Sequence, residues 1–117
     1  MKDALNRFLP LSPAVLHILL ALSGEDRHGY AIMQEIARQS EGRYKLGPGT
    51  LYDNLEKLLE QDFVRALPRQ AGEEDPRRRY YRLTGAGKKL LATEIERLDS
   101  LVREAKGRLR ANPRRAT

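Results

Sequence analysis

The stretch GPGTLYDNLEKLLEQDF, Gly47–Phe63, decides how the rest of the chain reads. Leu51, Leu55, Leu58 and Leu59 recur at three- and four-residue intervals, the period of one helical face. Pro48 suits the first helical position, where no backbone donor is needed and the ring presets φ. The front carries Pro48, Gly49, Thr50, Tyr52, Asp53, Asn54 and Lys57. A leucine back with a polar and aromatic tip suits a helix anchored to a core and meeting a partner with its first turn. An amphipathic surface helix with a plain Gly-Pro start has the same spacing, so the neighbouring segments have to choose.

Upstream, Ser12-Pro13 is a serine cap followed by a first-turn proline, and Pro13–Leu22 is apolar nearly all round. That predicts a buried helix ending at Gly24. A second helix is expected from about Gly29 to Ser40, with Tyr30, Met33, Ile36 and Ala37 on one face and Gly42 marking its end. Downstream, VRALPR (64–69) and RRRYYRL (77–83) are extended segments around the turn QAGEEDP (70–76), a hairpin with a charged tip. Thr84 then caps a last helix running to about Leu109. The expected fold is mainly α with a small β-hairpin. It comprises a winged helix-turn-helix over residues 1–83, a long C-terminal dimerisation helix over 84–110, and a disordered basic tail over 111–117.

The 117 residues suit one domain, and the net charge of +6 favours a polyanionic partner. The absence of cysteine excludes disulfides and thiolate metal sites and fits a reducing compartment. MKDALNRFLP has no signal-peptide pattern, and the apolar run Ala14–Leu22 is too short to span a bilayer. A cytoplasmic protein with no membrane association is therefore expected. His17 lies in an apolar helix and His28 beside a turn, neither with a second ligand at metal-binding spacing. GPG is not followed by the Gly-Lys-Ser/Thr of a phosphate-binding loop, and no nucleophile–base pair is evident. Neither an enzyme nor a cofactor is expected.

In a helix-turn-helix the second helix enters the major groove and its first turn meets the bases. The helix-front residues named above are thus the candidate DNA contacts, with Asn54 suited to adenine and Tyr52 to phosphate or sugar. Arg69, Arg77, Arg78, Arg79 and Arg82 gather in the hairpin, with Lys88 and Lys89 beyond. Arginines on a wing neutralise phosphates, and Arg77, Arg78 and Arg79 are the principal candidates. The acidic tip, Glu73, Glu74 and Asp75, argues against insertion of the tip itself into a groove. In the last helix Leu91, Ile95, Leu98, Val102, Ala105 and Leu109 alternate at four and three, the seam of a coiled coil. These are the candidate dimerisation residues, with Phe8 and Leu9 as candidate helpers.

Three segments, HGYAIMQEI (28–36), GPGTLYDNLEKLLEQDFV (47–64) and RRRYYRLTGAGKKLL (77–91), together resemble the hallmark segments of PadR-type transcriptional regulators. The resemblance covers about residues 12–95, and the single C-terminal helix is similar to the compact subgroup. It implies a homodimeric repressor that binds a double-stranded DNA operator and is released by a small-molecule effector or other signal. It also implies that Gly49, Thr50, Leu51 and Tyr52 begin the recognition helix, and that Tyr30 and Tyr81 support the fold. Asp53 stands where the family often has proline, and Asp62 where a glycine commonly precedes the strand. Some compact members stack flat drugs on tryptophan, and this chain has none. The competing readings are a MarR-like or ArsR-like regulator, a dimeric interaction module that never touches DNA, and a ligand carrier using the dimer interface.

Overall fold

The computed structural model describes residues 2–68 and 79–111, the side chains of residues 2 and 3 excepted. The order is α1 (Lys2–Asn6), α2 (Pro13–Leu22), β1 (Arg27–His28), α3 (Gly29–Gln39), α4 (Pro48–Glu60), β2 (Val64–Ala66), β3 (Tyr80–Leu83) and α5 (Gly85–Ala111). Helix α2 starts where the sequence places it, with Ser12 Oγ accepting the Val15 amide at 3.2 Å. Its Ile18 and Leu19 are fully buried and meet Ile32 and Ile36 of α3 and Leu51, Leu55 and Leu58 of α4 in one core. Burying such a side chain contributes about 1.5–3 kcal/mol. This three-helix cluster is therefore what holds α4 in place.

The face expected for α3 is corrected. Gly29, Ile32 and Ile36 are its buried positions, Met33 lies at the margin, and Tyr30 is 63% exposed. Tyr30 therefore does not support the core, whereas Tyr81 is buried in it. The sheet also has a strand the sequence did not announce. Arg27 and His28 pair antiparallel with Tyr81 and Tyr80, giving the order β1-β3-β2. Two residues carry no periodicity, and only the proximity of β3 turns them into a strand. Across the wing, Val64, Arg65 and Ala66 face Leu83, Arg82 and Tyr81.

Two backbone constraints join the wing to its helices. Asp62 closes α4 with φ of 62°, the left-handed conformation glycine adopts most easily. At Gly87 a Cβ would lie 2.1 Å from the carbonyl oxygen of Phe63, so only glycine lets α5 approach that backbone. Thr84 caps α5 as expected: its Oγ1 accepts the Gly87 amide at 3.0 Å and donates to the Asp62 carbonyl at 2.7 Å.

Gly87, Leu90, Leu91 and Glu94 of α5 are buried with the winged unit, and no described residue after Glu94 is buried. Leu91 thus packs in the chain's own core. Ala111 ends the helix, and the tail from 112 to 117 lies outside the described residues.

Candidate nucleic-acid interface

Helices α3 and α4 form the pair, and the turn between them is built from its own polar atoms. His28 Nδ1 accepts the Ala31 amide at 3.2 Å and caps α3, which gives this histidine a structural task. Glu41 and Gly42 both have positive φ, reversing the chain after α3. Ser40 Oγ accepts the Tyr44 amide at 3.0 Å, and the Tyr44 ring stacks on His17 with centroids 4.7 Å apart. His17 is thus a packed histidine.

Helix α4 begins without a side-chain cap. Gly47 has extended backbone, Pro48 has no amide hydrogen, and no side chain satisfies the first-turn donors. Open donors at the positive end of the helix dipole suit a phosphate or a base acceptor. Behind them Leu51, Leu55 and Leu58 are at most 2% exposed. Opposite, Gly49, Thr50, Asp53, Glu56 and Lys57 are exposed, and Asn54 and Tyr52 sit on the two flanks. Glu56 and Glu60, also exposed, place negative charge toward the far end of the helix. A phosphate backbone is repelled there and favoured at the first turn.

The two flanking residues are committed to internal contacts. Asn54 is half-buried, and its Nδ2 donates to the Thr50 carbonyl at 2.8 Å. Bidentate contact with adenine uses Oδ1 and one amide hydrogen, which leaves the other hydrogen for this bond. Tyr52 is half-exposed, but its hydroxyl presses on α3. A Cβ at Gly29 would lie 2.3 Å from the Tyr52 hydroxyl oxygen. The tyrosine therefore fixes the angle between the two helices as well as presenting an edge to solvent. Burial pushes the neighbouring Tyr81 hydroxyl pKa upward, with Tyr52 adding to the effect.

On the wing, Arg79 is exposed at the entry to β3, while Arg69, Arg77, Arg78 and the acidic tip lie outside the described residues. Arg82 is not free for phosphate. Its Nε and Nη2 donate to the two carboxylate oxygens of Asp26 at 3.1 and 2.8 Å, holding Asp26 below the usual carboxylate range. Arg27 is similarly occupied, donating to the Ala21 carbonyl and pairing with Glu25 and Glu35. Exposed cations without an acidic partner among the described residues include Arg43 and Lys45 in the turn and Arg65 on β2. Sequence reasoning overlooked all three, because a cation in a short loop or strand looks like any solvated charge. Exposed Tyr30 in the first turn of α3 was also missed as a surface group, as was Tyr80, which packs edge-on against His28.

A leucine-anchored helix with an uncapped polar first turn, preceded by its partner helix and followed by a β-ribbon, defines a winged helix-turn-helix DNA-binding protein. The model of the transcriptional regulator PadR-like family matches residues 15–93, and the chain belongs to that family. It is a DNA-binding regulator of transcription and not an enzyme. It is 34% identical to the transcriptional regulator Rv3488 of Mycobacterium tuberculosis over 79% of this chain and 81% of that protein. It is 30% identical to the transcriptional regulator YqjI of Escherichia coli over 92% of this chain, but spans 52% of that relative. Among solved structures, a PadR family regulator from Clostridium difficile superposes with a TM-score of 0.66 at 25% identity, covering 84% of this chain and 99% of that one. A transcriptional regulator from Clostridium thermocellum gives 0.67 at 25% identity over 91% and 96%. Among the described residues no cluster of His, Cys, Asp or Glu could hold a metal ion, and no helix is long and apolar enough to cross a membrane.

Proposed function

We propose that the protein is a homodimeric repressor that binds a duplex operator through the front of α4 and is released by a small molecule. The carrying observation is the contrast across α4, with fully buried leucines on one side and an uncapped, exposed first turn on the other. In this reading Thr50, Asp53 and Lys57 face the groove, with Pro48 and Gly49 allowing close approach of backbone. Tyr52 holds the helix pair and touches the sugar-phosphate chain at its edge, while Asn54 reaches a base edge with Oδ1 and its second amide hydrogen. Arg65 and Arg79, with Arg77 and Arg78, follow the phosphates. The dimer reading draws support from the apolar stripe Ile95, Leu98, Val102, Ala105 and Leu109, joined by Leu101. Pairing through it would set two α4 helices toward half-sites about 34 Å apart.

The release reading draws support from a cavity of about 180 Å³ on the flank of α4, lined by Phe8, Leu11, Val15, Asn54, Lys57 and Phe63. An occupant there would touch both the N-terminal segment and the recognition helix. The test is a titration of the protein against the duplex immediately upstream of its own gene at several salt concentrations. A steep negative salt dependence with a footprint across two half-sites is expected. A salt-independent interaction, or none with any duplex in a random-sequence pool, would end the operator reading.

A further inference from the structure

Glu94 is the buried charged residue of the described chain, at 1% exposure, and it stands where α5 leaves the winged unit. Its Oε2 accepts the backbone amide of Leu11 at 2.8 Å, across 83 residues of sequence. Leu11 directly precedes Ser12, the cap of α2. Its other oxygen accepts from Arg97 Nε at 2.5 Å, and Arg97 Nη2 also donates to Oε2 at 3.2 Å. The Arg97 guanidinium holds this carboxyl below the usual range, burial opposes it, and the Leu11 amide adds to the lowering. The segment ending at Leu11 is itself fastened, because the Phe8 ring meets Phe63 edge-on with centroids 5.0 Å apart. The carboxylate thus ties α5 to the start of the helix around which the core is built.

A charge in such a place is poorly explained by stability. A buried ion pair often contributes no more than apolar side chains of the same volume. What it adds is direction, because the bond from the Leu11 backbone amide, with Arg97 holding the carboxylate in place, allows one orientation where apolar packing allows several. Direction matters here because of a lever. From Ile95 to Ala111 the helix continues for roughly 25 Å at 1.5 Å per residue. A tilt of about 10° at the exit point moves its far end by about 4 Å, comparable with one step of about 3.4 Å along a DNA strand.

We propose that Glu94 is a positioning residue for operator recognition: bonded to Leu11 and Arg97, it fixes the exit angle of α5 and thereby the spacing of the two half-sites the protein accepts. This rests on the homodimer reading above. Glu94→Met fills the same space and removes every one of these bonds, whereas Glu94→Gln keeps an acceptor for the Leu11 amide.

The chain has no cysteine, so Glu56→Cys on the exposed side of α4 provides a single spin-label site in the full chain. Pulsed dipolar spectroscopy on the dimer should give one narrow distance between the two α4 helices. Adding Glu94→Met should broaden or shift that distance by about 4 Å, the displacement of the lever arm, with the fold retained by circular dichroism. Glu94→Gln should recover much of the original distribution. On a duplex selected by the full chain from a random pool, one base pair inserted between half-sites should weaken the unsubstituted protein about tenfold and Glu94→Met less than about threefold. If Glu94→Met does not fold, Glu94→Leu, which likewise has no acceptor for the Leu11 amide, is read in the same way. Superimposable distances in folded dimers, or equal discrimination between spacings, would overturn the role of Glu94 alone. No dipolar signal from the labelled chain without the Glu94 change would remove the homodimer reading, and this inference with it.

Discussion

Helices α4 and α5 are both amphipathic, yet they leave opposite kinds of surface unsatisfied. In α4 the apolar face is fully used, since Leu51, Leu55 and Leu58 vanish into the core. What remains open is polar: an uncapped first turn with Thr50 and Asp53 exposed beside it. In α5 polar groups pair along the helix, as in Arg103 with Asp99 at 2.6 Å and Arg108 with Glu104 at 2.9 Å. What remains open there is apolar, with Ile95 at 45%, Val102 at 48%, Leu101 at 59% and Leu109 at 52% exposure. Unsatisfied donors call for a polar, anionic partner, while an apolar stripe calls for another apolar surface. In the reading proposed above, one helix is matched to DNA and the other to a second copy of the chain.

The contrast breaks most visibly at Val102. Val102→Asp places a carboxylate in the middle of the stripe but touches nothing in the core of the chain itself. It should leave the melting temperature of the monomer fold unchanged while weakening self-association about a hundredfold, an unpaired interface charge costing about 3 kcal/mol. Sedimentation across a concentration series measures this. An unchanged dimer would mean that the exposed stripe is not the pairing surface.

At the front of α4 a smaller change is expected. Thr50→Ala or Asp53→Asn should each weaken operator binding by about 1–3 kcal/mol if the residue reads a base, with little effect on scrambled duplex. Competition binding of the two duplexes at one salt concentration separates base reading from positioning. Equal loss on both duplexes assigns the residue to phosphate. Arg65→Gln should weaken operator and scrambled duplex alike and lower the salt slope by about 1 for each site it contacts. A loss confined to the operator would move Arg65 from the phosphates to the bases.

The smallest and most diagnostic change is at Gly47. Its backbone is already extended and a Cβ there meets nothing within 4 Å, so a capping side chain is accommodated. Gly47→Asp should stabilise α4 by a few tenths of a kcal/mol, because aspartate is a better cap than glycine. The same carboxylate occupies the donors proposed for DNA and repels its phosphates. Thermal stability should rise slightly while DNA affinity falls. A rise in both would show that the open turn is not used in binding.

Much of this was legible in the linear chain. Ser12-Pro13, the leucines of Gly47–Phe63, the Gly42 stop and the Thr84 cap are local signals, each deciding the few residues around it. They located both ends of α2, α3 and α5, and the start of α4, within one or two residues of those observed. The helix-front residues were legible for the same reason, since a period near 3.6 sorts positions to opposite faces without reference to any neighbour.

What the chain could not announce depends on contacts between distant residues. The strand Arg27–His28 exists only because β3 lies beside it, and Arg82 looks like a phosphate ligand until Asp26 takes both of its donors. Tyr30 and Ile32 differ in burial because the line along which α2 and α4 meet α3 is set by packing, which a single helix does not encode. Leu91 and Ile95 belong to one seam by spacing and to two environments in space, with the buried carboxylate of Glu94 at the point of division. The local chemistry of the chain determined its helices and their open faces. Only the tertiary structure decided which polar groups were already satisfied, because a hydrogen bond or ion pair across 56 or 83 residues depends on where the backbone has been brought.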